Sequence, residues 1–141
     1  MKMKTALAIA CMMSLLLAAC SNSSTPQAAN SVQLHITNNT NATMYGMEIS
    51  WHQDGEIKGT QGGVDADGSK MKKGESMVFE FLPEEVDVTK DMLLEVSLIT
   101  SPNHSTVQLD SKTPVKLTGY GNYNFELISD SGEIQLLKSK E

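Results

Sequence analysis

The chain has 141 residues, and its 17 Asp and Glu outnumber its 11 Lys, which gives a formal charge of −6 at pH 7. This balance argues against nucleic-acid binding and against a domain that lies flat on anionic lipid, because both need a basic face. There is no Arg, so the usual bidentate clamp for carboxylates and phosphates is missing. The length suits one domain with a hydrophobic core, and not comfortably two.

The N-terminus has the pattern of an export signal. Residues 1–4 include two lysines, and residues 5–19 are uncharged and rich in Ala, Leu and Met. This apolar stretch is shorter than the ~20 residues that a membrane-spanning helix needs. The sequence therefore predicts a cleaved signal peptide rather than a transmembrane helix.

The motif Leu17-Ala18-Ala19-Cys20 at the end of this stretch resembles the lipobox of bacterial lipoproteins. The resemblance implies cleavage before Cys20, so that residues 1–19 are a signal peptide and the Cys20 thiol carries a diacylglyceryl group. It also implies a lipid anchor on the extracytoplasmic face of the cell membrane. In a Gram-negative cell the location would be the outer membrane, because Ser21 is not the aspartate that favours inner-membrane retention.

Cleavage before Cys20 would change the composition of the chain. It would remove Lys2, Lys4 and Cys11, leaving nine lysines against seventeen carboxylates and a formal charge of −8. Cys20 would be the only remaining cysteine and would be lipidated, so no disulfide or thiol nucleophile is expected. Residues 20–31 are small and polar and predict a flexible tether with a reach of roughly 20 Å. Residues 32–141 are predicted to form the folded domain.

The rest of the chain reads as consecutive β-strands. Val32, Leu34 and Ile36 alternate with polar residues, and Asp54-Gly55 is typical of a tight hairpin turn. Residues 59–74 contain five glycines and predict a long loop, and residues 83–90 predict an acidic connection. Further strands are predicted at 45–52, from 57, and at 77–81, 94–98, 107–109, 115–117, 123–127 and 134–136.

No part of the domain has a helical period, and turn signals recur every eight to twelve residues or so, which favours an all-β, antiparallel β-sandwich of about seven to eight strands. Residues 117–123, LTGYGNY, resemble the tyrosine corner of immunoglobulin-like sandwiches. That resemblance implies that Tyr123 opens the penultimate strand and bonds to upstream backbone, with Trp51 as the core tryptophan. The alternative is that Tyr123 is one more inward-facing aromatic residue.

The best candidate for a metal site is the sequence Asp65-Ala66-Asp67-Gly68-Ser69, because two carboxylates in one turn suit Ca²⁺. Its glycine is at the fourth position rather than the sixth of an EF-hand loop, and three lysines follow closely. A solvated Asp-Gly turn is the alternative interpretation. Asp65 and Asp67 are thus the candidate metal ligands.

The sequence offers no catalytic motif. His35 and His52 are predicted to face outward on strands and His104 to lie in a turn, without the spacing of a zinc site. There is no GxSxG, SxxK, P-loop or GxGxxG sequence, so no catalytic residue or cofactor is assigned. A hydrolase would need a His, an Asp and a Ser to converge in the fold.

These observations favour a membrane-anchored, noncatalytic protein-interaction module whose partner is an unidentified envelope or membrane protein. A second interpretation is a small-ligand or Ca²⁺-binding domain that uses the 59–74 loop. A third is a hydrolase that acts on envelope polymers.

Overall fold

The computed structural model describes residues 30–140, which form nine strands and no helix. The predicted signal peptide, Cys20 and tether residues 20–29 lie outside the described residues. Within residues 30–140 there is no helix long and apolar enough to cross a membrane. The strands are β1 (Val32–Asn38), β2 (Gly46–Gln53), β3 (Glu56–Val64), β4 (Ser76–Phe81), β5 (Met92–Ile99), β6 (Thr106–Gln108), β7 (Thr113–Val115), β8 (Gly121–Asp130) and β9 (Glu133–Lys138).

The predicted β-sandwich is confirmed, with nine strands instead of seven to eight. Sheet A has the strand order β4-β1-β8-β9, and sheet B has the order β3-β2-β5-β6, with β7 also paired to β5. The expectation of a purely antiparallel fold is wrong for one pair, since β1 and β8 are parallel. The order also differs from the ABED and CFG sheets of immunoglobulin domains, so the likeness is one of architecture.

The core lies between the two sheets and follows the alternation in the sequence. In β1, Val32, Leu34 and Ile36 are fully buried, while Gln33 and His35 between them are half-buried. The Trp51 ring of sheet B packs edge-on against the Phe81 ring of sheet A, with centroids 4.8 Å apart and planes at 74°. Such a contact contributes about 0.5–1.5 kcal/mol beyond the area it buries. Trp51 is thus the core tryptophan that the sequence predicted.

The prediction that residues 59–74 form one long loop is wrong for its first part. Residues 59–64 belong to β3, which pairs with β2 along its whole length. A Cβ on Gly59 would lie 2.3 Å from Cη2 of Trp51, and one on Gly63 would lie 2.3 Å from Cε of Met77. These two glycines therefore give room to neighbouring core side chains. The loop itself is residues 65–75.

The predicted tight turn joins β2 to β3. Asp54 and Gly55 have φ angles of 56° and 79°, as a two-residue type I′ turn requires. The register shifts between Trp51 and His52, which leaves Lys58 as an extra residue on β3. This bulge brings the strand into register with the rest of β2.

The sandwich has two distinct ends. Ser31 is 2% exposed and lies at one end, which we call the N-terminal end; its carbonyl accepts a hydrogen bond from the Gly121 N–H at 2.9 Å. Ser31 thus already belongs to the folded domain, although the sequence grouped it with the tether. β1 runs from there to Asn38 at the far end. Seven residues of strand cover roughly 20 Å.

The 65–75 loop is fixed at the far end by buried groups. The N–H of Gly74 donates to the Asn38 carbonyl at 2.7 Å, and the N–H of Met71 donates to the Met44 carbonyl at 2.9 Å. Both methionine side chains are buried, with exposures of 5% for Met71 and 0% for Met44. The loop is therefore anchored through its centre, on the opposite end from Ser31.

Candidate functional site

The tyrosine contact predicted from residues 117–123 is present. The Tyr123 hydroxyl donates to the Gly119 carbonyl at 2.8 Å and accepts from the Thr118 N–H at 2.9 Å. Tyr123 lies near the start of β8, the penultimate strand. Because both partners are backbone groups of the preceding connection, this contact holds the chain as it enters sheet A. We assign it a structural role.

Asp65 and Asp67, the predicted metal ligands, converge on one residue. The Ser69 N–H donates to Oδ1 of Asp67 at 2.9 Å, and the Ser69 hydroxyl lies 3.4 Å from Oδ2 of Asp65. Gly68, with φ of 69°, allows the turn, and its N–H donates to the Asp65 carbonyl. The turn is therefore closed by its own hydrogen bonds.

The electrostatics of this turn follow from those bonds. Hydrogen bonding from Ser69 holds the pKa of Asp67 below its ordinary value, and the charge of Lys72 adds to the effect. Both aspartates are exposed at the far end of the sandwich. In residues 30–140 no three His, Cys, Asp or Glu side chains are grouped so that they could hold a metal ion.

The three histidines lie on different parts of the surface. His35 is on the outer face of sheet A, between Val78 and Asn124 in the strand register. His52 is on the outer face of sheet B, near the N-terminal end. His104 is exposed in the turn after β5, with φ of 60°. The fold thus does not bring the histidines together.

His52 nevertheless takes part in a charged cluster that the sequence did not reveal. Its Nε2 lies 3.1 Å from Oε1 of Glu95, although the approach is not that of a hydrogen bond. Lys112 makes an ion pair with the same oxygen of Glu95. The Lys112 ammonium, followed by His52, holds the pKa of the Glu95 carboxyl below its ordinary value. The carboxylate is therefore ionised and neutralised by a lysine at neutral pH.

A shallow cleft of about 300 Å³ adjoins this cluster and is lined by His52, Leu93, Lys112 and Pro114 among others. In the strand register His52 is opposite Ile57 on one side and Leu93 on the other. Ile57 is 61% exposed. The outer face of sheet B therefore carries a row of four residues in register on β3, β2, β5 and β7: Ile57, His52, Leu93 and Pro114.

A larger cleft of about 520 Å³ lies at the N-terminal end, between the β2–β3 hairpin and the connection after β4. Gln53, which is 4% exposed, fixes that connection through hydrogen bonds to the backbone of Asp87 and Lys90. The Lys90 ammonium pairs with Asp54 at 2.5 Å and with Asp87 at 3.7 Å. Lys90 thus offsets the charges of two aspartates, while the cleft is also lined by the exposed carboxylates of Glu84 and Glu85.

None of these groups has the arrangement that nucleophilic catalysis requires. A nucleophile needs a base within hydrogen-bond reach and a third group to orient that base. The one histidine beside a carboxylate, His52, shares that carboxylate with Lys112. The cluster joins β2, β5 and the segment before β7 on the outer face of sheet B.

No protein-family model matches this chain, and no curated protein matches it either.

Proposed function

We propose that this chain is a membrane-anchored extracytoplasmic lipoprotein whose β-sandwich is a noncatalytic protein-interaction module. The anchor is the lipid on Cys20, implied by the Leu17-Ala18-Ala19-Cys20 motif. The domain holds a partner protein of the envelope or membrane. It acts by binding and positioning, not by chemistry.

The observation that carries this proposal is the position of Ser31 relative to the rest of the domain. The chain enters the sandwich at the N-terminal end, eleven residues after Cys20. Strands β1 and β3 then run from that end to the far end, so the far end is the part of an anchored domain most distant from the lipid. Its sheet edges and its anchored 65–75 loop are then presented away from the lipid.

Charge keeps the domain off the lipid surface. The chain without residues 1–19 has a formal charge of −8, which repels an anionic bilayer. At the N-terminal end, Glu84, Glu85 and Asp87 are exposed beside the cleft. A domain that carries such groups at its membrane-facing end is held off the head groups and leaves its sides accessible to proteins.

The proposal is tested by chemical crosslinking in intact cells that produce the full chain at its native level. A Cys20→Ala variant, which cannot be lipidated, is the matched control. We expect one envelope or membrane protein to crosslink to the anchored chain in good yield and to be lost with Cys20→Ala. A chain that gives no specific adduct, or the same adducts with and without Cys20, would contradict the proposal.

A second candidate function is ion binding by the 65–75 loop, which is favoured only by the convergence of Asp65 and Asp67 on Ser69. It is tested by thermal unfolding of residues 21–141 in Ca²⁺ and in EDTA, with Asp65→Asn as the control. A melting temperature that rises with Ca²⁺ in the parent, and not in Asp65→Asn, would favour this function. Equal melting temperatures in Ca²⁺ and EDTA would exclude it.

A further inference from the structure

A sheet edge exposes backbone N–H and C=O groups that can pair with another strand, and proteins usually shorten, cap or interrupt such edges. The sandwich has edges at β4 and β9 in sheet A, and at β3 and the β6/β7 side in sheet B. They differ in how they are protected.

Two of these edges have a backbone carbonyl that accepts a side-chain hydrogen bond, and a third is made of short strands. On β4, the Glu80 carbonyl accepts a hydrogen bond from Nε2 of Gln61 at 2.9 Å. On β9, the Leu136 carbonyl accepts one from the Thr113 hydroxyl at 3.3 Å. Strands β6 and β7 have three residues each, and β7 contains Pro114, which has no N–H to donate. None of the three is a long, continuous ladder.

The fourth edge, β3, is long and open. It has nine residues, and no described residue outside β2 makes a hydrogen bond to its backbone. Its two charged residues, Glu56 and Lys58, are at the end near the hairpin. Residues 60–64, TQGGV, carry no charge and no proline, which are the usual protections of an edge.

We infer that the free edge of β3 is the docking site for an extended segment of a partner protein, which adds to sheet B as a further strand. This inference rests on the proposed function, because it names the surface by which the anchored module holds its partner. A row of unpaired backbone donors and acceptors is complementary to another extended backbone. The occupant is therefore a strand rather than a helix or a small molecule.

The side chains of β3 define the chemistry of that segment. On the inner side, the Trp51 ring and the Met77 methyl lie against Gly59 and Gly63, within reach of the inward-facing residues of an added strand. On the outer side, Thr60 shares a hydroxyl contact of 2.8 Å with Ser50. The partner segment is thus uncharged, about five residues long, with apolar side chains at alternate positions.

A second copy of this chain fits the edge less well than a partner does. A two-fold dimer through identical edge strands pairs them antiparallel, which inverts one sandwich relative to the other. The Ser31 ends of the two copies would then point in opposite directions. Two chains anchored through Cys20 in one membrane could pair in this way only with their strands lying along the membrane, against the repulsion between their negative net charge and anionic lipid.

The test is site-specific photocrosslinking in cells with the full, anchored chain. A benzoylphenylalanine residue is placed in turn at Thr60, Gly62 and Val64, which share the outer face of β3. The comparison positions are Val78 on β4 and Leu137 on β9, which are 52% and 45% exposed. The crosslinked residue of the partner is then identified by mass spectrometry for each position.

We expect adducts with one protein from all three β3 positions, at partner residues that step by two along the partner sequence, because strands in register repeat every two residues. A Gly62→Lys substitution should abolish these adducts, since a lysine protects an edge. The matched Val78→Lys substitution should leave them intact, and the urea unfolding midpoint of both variants checks that they fold.

Other results overturn the inference. Adducts that arise from Val78 or Leu137 and not from β3 would support the proposed interaction function but refute docking at the edge of β3. Adducts from β3 without a two-residue step, or only with another copy of this chain, would refute strand addition by a partner. No adduct from any position would contradict the proposed function as well.

Discussion

Gln53 and Asp87 are joined by two hydrogen bonds: the Asp87 N–H donates to Oε1 of Gln53 at 2.9 Å, and Nε2 of Gln53 donates to the Asp87 carbonyl at 2.8 Å. The buried amide of Gln53 thereby pairs with the backbone N–H and C=O of Asp87, as a neighbouring strand would. The same Nε2 lies 3.3 Å from the Lys90 carbonyl. Gln53 thus holds the connection after β4 together with Trp51, whose Nε1–H donates to the Glu85 carbonyl at 3.3 Å.

Gln53→Leu keeps the volume of the side chain and leaves these backbone groups without partners. We expect a loss of about 2–3 kcal/mol in the free energy of unfolding, because unpaired buried polar groups keep their full desolvation cost. Urea unfolding of residues 21–141 measures it. Gln135→Leu, at a half-buried glutamine of β9 that makes no such bonds, should change stability by less than about 0.5 kcal/mol. Equal effects from both substitutions would contradict this account.

Tyr123→Phe removes the hydroxyl that bonds to Gly119 and Thr118 and keeps the ring. We expect it to cost about 1–3 kcal/mol, since the Thr118 N–H loses its acceptor. Tyr120→Phe makes the same chemical change at a tyrosine that is 42% exposed and whose hydroxyl makes no hydrogen bond within residues 30–140, so it should be nearly neutral. The difference between the two changes in unfolding free energy gives the contribution of the Tyr123 hydrogen bonds, separate from the effect of losing any tyrosine hydroxyl.

Two glycines of β3 make a third matched pair. A Cβ at Gly59 would lie 2.3 Å from Cη2 of Trp51, whereas the nearest atom to a Cβ at Gly62 is 3.9 Å away. Gly59→Ala should thus displace the core tryptophan and cost about 1–3 kcal/mol. Gly62→Ala should be neutral or slightly stabilising. Urea unfolding of the two variants measures their relative stability, and near-ultraviolet circular dichroism reports whether Trp51 has moved. A Gly62→Ala variant as unstable as Gly59→Ala would contradict this explanation.

Stability should depend on pH through Glu95. Its pKa is lowered in the folded chain from an ordinary value of 4.5, first by Lys112 and then by His52. A lowered pKa of a carboxyl stabilises the folded state above 4.5, and this contribution is lost as the pH falls through the lowered value.

Glu95→Gln should therefore be less stable than the parent near pH 7, with the difference shrinking as the pH falls below 4.5. Urea unfolding across this range measures the difference. Glu133→Gln removes an exposed carboxylate that makes no ion pair and is the control. A constant gap between the parent and Glu95→Gln down to low pH would show that Lys112 does not stabilise the ionised carboxylate.

The alternation of apolar and polar residues was enough to predict most strands and the sandwich. It succeeded for β1 and β5, where every second residue is buried. The hydrogen bond of Tyr123 was implied instead by the resemblance of residues 117–123 to a tyrosine corner. The alternation failed to predict the second half of β3. Glycine is needed at positions 59 and 63 there, because the Trp51 and Met77 side chains occupy the space that a Cβ would fill. That space is a property of the assembled sandwich, and one sequence does not reveal it.

Contacts between distant residues were also out of reach. Met71 was expected in a solvated loop, yet it is buried because the loop folds back onto Met44. The ion pairs of Glu95 with His52 and Lys112 depend on strand pairing, which brings β5 beside both residues. Likewise, the parallel pairing of β1 with β8 and the open edge of β3 follow from strand order, for which the sequence carries no local signal.

The central claim, a lipid-anchored module, is tested most directly by the mass of the N-terminal peptide of the protein purified from membranes. We predict a chain that begins at Cys20 and carries the added mass of a diacylglyceryl group, with or without an acyl group on its amine. In a Cys20→Ala variant neither the cleavage nor the lipid should be found. A membrane-derived chain that retains residues before Cys20, or that begins elsewhere without lipid, would contradict the account.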